Sequence, residues 1–301
     1  MKKNIIIILV VVIALFSIGC SAKDSELPAI KVSSKAWTEQ LTLGSMTLQY
    51  LEAKGYEVED RTGLGETPML RPAIQSGEID LYWEYTGTTL MVNMKSDVVT
   101  DSKECYEMVK KWDAETNNIT WLDPANANNT YILMVREDFA KEKNLATVSE
   151  LADYIKAGNE IRLGAGIEFV ERPDGIKGLE TLYDFKFDRD LLSSMAIGIT
   201  YEALKNGQVD VAMGFGTDGR IISMNFNVLE DNLKFFPVYN PAPIVRSEIL
   251  EQYPDLESDL NKLPALLTGE VLQELNRRVD VDGLEPEEAA EEFLRANGLI
   301  D

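Results

Sequence analysis

Strand-like and helix-like stretches alternate along most of this chain, and that order constrains the fold more than any other feature. Ile30–Ser33 reads as a strand, and Thr38–Lys54 then carries Leu43, Met46, Tyr50 and Leu51 at helical spacing until Gly55 stops it. Tyr56–Arg61 alternates as a strand, Met69–Gln75 has a helical period, and Ile79–Tyr82 has the apolar character of a buried strand. Asp101 with Glu104, and Thr147 with Glu150, have the spacing of capping boxes that open helices. Further strand and helix units follow at Ile161–Gly164, Tyr201–Asn206 and Val209–Met213. Such alternation predicts an α/β fold in which a parallel-rich sheet carries helices on both faces. In the last third, Pro254, Pro264 and Pro286 punctuate helical stretches, the final one spanning Pro286–Ala296. With too few strands for a sheet of its own, this segment is expected to pack back on the first domain.

Lys2 and Lys3 precede an apolar run from Ile5 to Phe16, and Ser17-Ile18-Gly19-Cys20 follows. A charged region, a short apolar region and small residues before a cleavage point make residues 1–19 a secretory signal. The run is shorter than the roughly 20 residues a membrane-crossing helix needs. A cysteine directly after the small residue resembles a bacterial lipobox, so Cys20 is expected to carry lipid and residues 20–28 to form an anchor and tether. Ser17 departs from that pattern, where leucine is more usual. About 280 residues then remain, enough for one large or two medium domains. Removing Lys2 and Lys3 takes the net charge from −22 to −24, which argues against nucleic acid as a partner. Only Cys105 remains beside Cys20, so no intramolecular disulfide is available. The absence of histidine removes histidine-based catalysis, histidine-ligated zinc and a histidine pH switch.

Four aromatic residues stand where strands are expected to meet loops: Tyr85, Tyr131, Phe215 and Tyr239. A quaternary ammonium ion donates no hydrogen bond and is held by π faces, dispersion and charge, so converging rings suit it. Each ring alone reads more readily as core packing or an interface, and the case rests on the four together. Lys35 follows the first strand, where ligands of open α/β sheets gather, although a solvated lysine is the plain alternative. Arg172 in Arg172-Pro173-Asp174-Gly175 precedes an expected helix. Its fork fits a ligand carboxylate, or pairs with a nearby acid such as Glu171 or Asp174. Thr88 follows Tyr85 at an expected helix start, where hydroxyls cap. The pairs Gly63-x-Gly65 and Gly164-x-Gly166 lack the continuation of phosphate loops and read as tight turns. Asp280-x-Asp282-Gly283 lacks the remaining ligands of a calcium loop, so neither metal nor cofactor is expected. No activated nucleophile stands out, and no enzymatic activity is expected.

Longer blocks carry a family resemblance: Lys35-Ala36-Trp37-Thr38-Glu39-Gln40, Arg61-Thr62-Gly63-Leu64-Gly65, the run from Gly77 to Thr88, Asn128-Asn129-Thr130-Tyr131, Glu171-Arg172-Pro173-Asp174-Gly175, Thr217-Asp218-Gly219-Arg220-Ile221 and Ala242-Pro243-Ile244-Val245-Arg246. In these blocks the chain resembles the substrate-binding lipoproteins of ABC importers for glycine betaine, carnitine and choline. The resemblance implies two α/β lobes closing like a clamshell about a two-crossing hinge, the periplasmic-binding-protein fold. It places lobe 1 at 29–127 plus 233–301 and lobe 2 at 128–232, with crossings near Asn126–Asn129 and Asp231–Leu233. It implies that Tyr85, Tyr131, Phe215 and Tyr239 cage the ammonium group and that Lys35, Thr88 and Arg172 grip a carboxylate. Gln40, Asn129, Trp37 and Trp83 are further candidate contacts. Phe215 stands where relatives often have tyrosine, and Trp37 and Trp83 where other residues are common.

The function implied is that of an extracytoplasmic, lipid-anchored and monomeric binding protein. It would take a small quaternary amine to a membrane permease that a cytoplasmic ATPase powers. A bulkier betaine such as ergothioneine, or a chemosensory role, are the alternatives.

Overall fold

A computed structural model describes residues 27–301. The signal sequence, Cys20 and most of the tether lie outside the described residues. Two five-stranded mixed sheets, each wrapped by helices, form two lobes. The first has the order β2-β1-β3-β10-β4, from β1 (Ile30–Lys35), β2 (Val58–Gly65), β3 (Leu81–Tyr85), β4 (Ile119–Trp121) and β10 (Pro241–Arg246). The second has the order β7-β6-β8-β5-β9, from β5 (Tyr131–Arg136), β6 (Leu163–Ala165), β7 (Leu192–Ser194), β8 (Val211–Phe215) and β9 (Phe226–Leu229). In each lobe parallel strands form one side, and one strand, β10 or β5, runs antiparallel to both of its neighbours.

These antiparallel strands aim the site. Ligands of α/β sheets gather at the carboxyl ends of parallel strands. An antiparallel neighbour brings its amino-terminal end to the same edge. Tyr131 therefore pairs across from Phe215, and Pro241, two residues after Tyr239, pairs across from Tyr85. All four rings stand at the two facing sheet edges, although their segments are far apart in sequence.

Burial explains the elements. Every residue of β3 is buried, as expected of a strand covered on both faces. On the Thr38–Ala53 helix, Leu43, Met46, Tyr50 and Leu51 form the buried stripe. They share a core with Leu272 and Leu275 of the Gly269–Asp280 helix and Ala290 and Leu294 of the Pro286–Ala296 helix. The C-terminal helices thus pack on the first lobe. Thr147 and Glu150 form a full capping box, whereas Asp101 accepts from the Glu104 amide without a reciprocal bond.

The chain passes between the sheets twice, between Trp121 and Tyr131 and between Leu229 and Pro241. On the second passage the chain beyond Asp231 is tied to neighbours around Tyr183 and Phe169. Asp231 accepts from the Tyr183 hydroxyl and from the Phe235 and Phe236 amides at 2.5–3.0 Å. Phe235 and Phe236 then bury their rings in the core that holds Phe169 and Leu179.

Candidate functional site

A cavity of about 340 Å³ opens between the two sheet edges. The loop after β1 supplies Lys35 and Trp37, the end of β3 supplies Tyr85 and Thr88, and the passages between lobes supply Asn129 and Tyr239. From the second lobe come Tyr131, Arg172 and Phe215. Two glycines permit this close assembly. A Cβ on Gly87 would fall 2.7 Å from the Tyr239 ring, and one on Gly175 would fall 1.9 Å from the Phe169 carbonyl oxygen. Both positions exclude any side chain, which is why Tyr239 lies against the turn after β3 and the Arg172 loop folds under Phe169.

The rings form a connected row. Trp37 stacks on Tyr85 with centroids 5.8 Å apart and on Phe215 at 4.7 Å. Phe215 stacks on Tyr131 at 5.6 Å, and Tyr239 meets Tyr131 edge-on at 5.4 Å. Trp37 is therefore a central member of the wall. Burial pushes the Tyr85, Tyr131 and Tyr239 phenols upward, so they stay neutral.

The cationic side chains are already engaged. Lys35 Nζ lies 3.0 Å from Glu84 Oε1, both groups buried, and 5.4 Å from the Tyr85 ring centre. Arg172 lies between two short helices, Ile167–Glu171 and Ile176–Leu182. Its Nε and Nη2 reach the two Asp174 oxygens at 2.9 and 2.6 Å, and Nη1 reaches Glu168 at 2.9 Å. Of the two partners the sequence offered, Asp174 is the one engaged. Thr88 Oγ1 stands 3.5 Å from both Nη atoms of Arg172, so the two lobes meet there. Thr88 caps no helix; it lies within a helical turn that continues as a π-helix over Thr89–Asn93. The Tyr239 hydroxyl donates to Asp174 and fixes the ring.

Two candidate contacts lie elsewhere. Trp83 is 1% exposed in the first-lobe core and donates its indole N–H to Thr47 at 2.9 Å. It sits two residues back from the sheet edge, where the Thr38–Ala53 helix covers it. Gln40 is fully buried behind the wall, its Oε1 3.4 Å from the Lys35 amide. Among the described residues no group of His, Cys, Asp or Glu has the arrangement of a metal site.

A family model described as the substrate binding domain of ABC-type glycine betaine transport system matches residues 28–296. The chain belongs to this family. The glycine betaine-binding protein YehZ of Escherichia coli (strain K12) is 38% identical over 276 residues, 89% of this chain and 90% of that protein. The carnitine transport binding protein OpuCC of Listeria monocytogenes is 36% identical over 287 residues, 94% of this chain and 90% of that protein. A crystal structure of a glycine betaine/carnitine/choline ABC transporter superposes with a TM-score of 0.74 at 30% identity, covering 90% of this chain and all of that one. The two-lobed α/β architecture of this glycine betaine transport family is the one described above.

Within that family fold, several polar residues of the cavity had no role assigned from the sequence. Glu39 and Thr217 lie inside the recognised blocks but had no assigned role, and nothing local marked Asn276, on the Gly269–Asp280 helix, or Glu66. Burial raises the Glu66 carboxyl to about 7, Lys35 opposing and Glu168 reinforcing the shift. Burial also works against charge on Glu168, yet Lys35 and Arg172 hold it below the usual carboxylate range.

Proposed function

We propose that this binding protein captures a small quaternary amine of the glycine betaine, carnitine or choline class and delivers it to a membrane permease driven by a cytoplasmic ATPase. One observation carries the reading: Trp37 and Tyr85 of the first lobe join Phe215 and Tyr131 of the second in a single row of π faces. A cation without hydrogen-bond donors is retained by such faces, and neither lobe supplies the row alone. Tyr239 closes one end of the row. Lys35, Thr88 and Arg172 would meet the carboxylate of a zwitterion, in competition with Glu84, Asp174 and Glu168.

The protein works as a monomer and carries out no reaction. It is held on the extracytoplasmic face of the membrane by lipid on Cys20, after removal of residues 1–19. The packing of Phe235 and Phe236 supports lobe 2 running over 128–236, with 29–127 and the chain from 237 onward forming lobe 1. Titration calorimetry of the purified protein with betaine, carnitine and choline tests the reading. At least one should bind with a Kd of about 100 μM or tighter, a free energy of about −5.5 kcal/mol. No heat from any of the three at millimolar concentration would sink it.

A further inference from the structure

Among the described residues, no cation pairs with one buried carboxylate of the cavity. Glu39 is 1% exposed and lines the cavity at the start of the Thr38–Ala53 helix. Its Oε1 accepts from the Tyr85 hydroxyl at 2.7 Å and from Asn129 Nδ2 at 2.7 Å. Its Oε2 accepts from the Thr217 hydroxyl at 2.6 Å and from Asn276 Nδ2 at 2.9 Å. All four donors are neutral. The cavity's cations are taken by other acids: Lys35 by Glu84, Arg172 by Asp174 and Glu168, Arg220 by Asp218 and Asp280.

The hydrogen-bond pattern suits a negative charge on Glu39. An ionised carboxylate only accepts, and two donors on each oxygen suit it. A protonated Glu39 could turn its O–H only toward the Tyr85 or Thr217 hydroxyl, which would then lose the bond it donates, because the Asn129 and Asn276 NH2 groups accept nothing. Burial raises the Glu39 carboxyl above its usual range, and the four donors offset that only in part, so the charged form gains from a cation beside it. An isolated buried anion is costly unless something of opposite charge arrives. Within the row of rings, the Tyr85 hydroxyl bonded to an anion is polarised toward the carboxylate, which enriches its π face.

We propose that the Glu39 carboxylate is the fixed counter-charge of the ligand's ammonium group and sets the site's preference for positive charge. Thr217 comes from the second lobe, after β8, while Tyr85 and Asn276 come from the first. The anion is therefore fully seated only when the lobes meet, so closure and charge recognition act together. The inference rests on the reading that this cavity binds a quaternary amine.

The test compares choline with its uncharged carbon isostere, 3,3-dimethyl-1-butanol, by calorimetry and competition on the full chain. Glu39→Gln preserves shape and removes the charge. It should weaken choline about tenfold or more, as a charge several ångströms away in a low-dielectric site predicts. Binding of the neutral isostere should change by less than about twofold, because it presents no charge to that field. The affinity ratio is the readout, since a purely structural role would depress both ligands alike. Thr217→Val leaves Glu39 in place and removes one donor that holds its charge. It should lower the ratio about threefold, the scale of a net hydrogen bond, and it decides the matter if Glu39→Gln does not fold. Choline binding to the parent with a ratio unmoved in the folded variants would overturn the inference alone. A parent that binds no quaternary amine would overturn the reading of the site and this inference together.

Discussion

Trp37 lies flat on Phe215, with ring centroids 4.7 Å apart and planes 19° from parallel, although one follows β1 and the other ends β8 in the opposite lobe. Stacks of this kind contribute about 0.5–1.5 kcal/mol beyond their buried area. The contact therefore helps to hold the lobes together. Trp37→Leu should weaken quaternary amine binding by about 1 kcal/mol and enlarge the radius of gyration of the ligand-free protein in small-angle scattering. Unchanged affinity and an unchanged radius would remove Trp37 from the wall.

The same wall sorts substitutions at Phe215. Phe215→Tyr keeps the π face and should be nearly neutral. Phe215→Leu keeps apolar bulk but loses the face, and should cost about 1–2 kcal/mol of binding with little change in Tm. Calorimetry of both variants separates ring electrostatics from packing; equal affinities would show that only packing matters.

Arg172 and Asp174 are coupled through a buried two-pronged bond, at 7% and 0% exposure. Arg172→Met leaves Asp174 and Glu168 without their cation and should destabilise the fold by about 3–5 kcal/mol, as breaking a buried pair does. The double variant Arg172→Met with Asp174→Asn should recover part of that loss, a non-additivity expected of contacting residues. Denaturant unfolding of the parent, Arg172→Met, Asp174→Asn and the double variant checks the cycle, and strict additivity would refute the coupling. If Arg172 also serves the ligand, Arg172→Met should weaken betaine more than choline.

Glu66 gives a pH dependence with a definite sign. Its carboxyl is raised to about 7 in the folded protein, mainly by burial, against a usual value of 4.5. Between those values the folded state keeps a proton that the unfolded state has released, so this contribution to stability is lost as pH rises. Thermal unfolding at pH 5 and pH 8 should show Glu66→Gln losing less Tm than the parent over that interval. Parallel pH profiles would count against the shift.

Cys20 is tested outside the described residues. Under the proposed anchoring, Cys20→Ser removes the lipid-bearing thiol, so it should release the protein from the membrane fraction and leave ligand affinity unaltered. Continued membrane association would point to an uncleaved signal.

Much of the fold was legible because periodicity and capping are local. The Thr38–Ala53 helix, the Thr147 capping box and the Pro286–Ala296 helix all follow from residues within a few positions of one another. The strand β10 was not legible, because Pro241 and Pro243 argue against a central strand. The structure resolves this physically. In an antiparallel strand a residue's N–H and C=O point to the same side. The Pro241 and Pro243 carbonyls accept from Ala125 and Leu122, in the irregular chain beyond β4. Both contacts use a proline carbonyl, and the Leu122 carbonyl takes its donor from the Tyr106 hydroxyl, so these bonds need no proline N–H.

By itself the sequence determined the alternating elements, the two-lobed family fold and the residue types that can hold a quaternary cation. Tertiary structure alone decided which of those residues meet. Trp83 and Tyr85 are two positions apart, yet one is sealed beneath a helix and the other lines the cavity. Glu39, Thr217 and Asn276 are separated by most of the chain and converge within hydrogen-bond distance. Arg172, free in the sequence to grip a ligand, has its fork closed on Asp174. Periodicity reports which face of an element is buried, whereas a binding site depends on which distant faces are brought together, and only packing between the lobes fixes that.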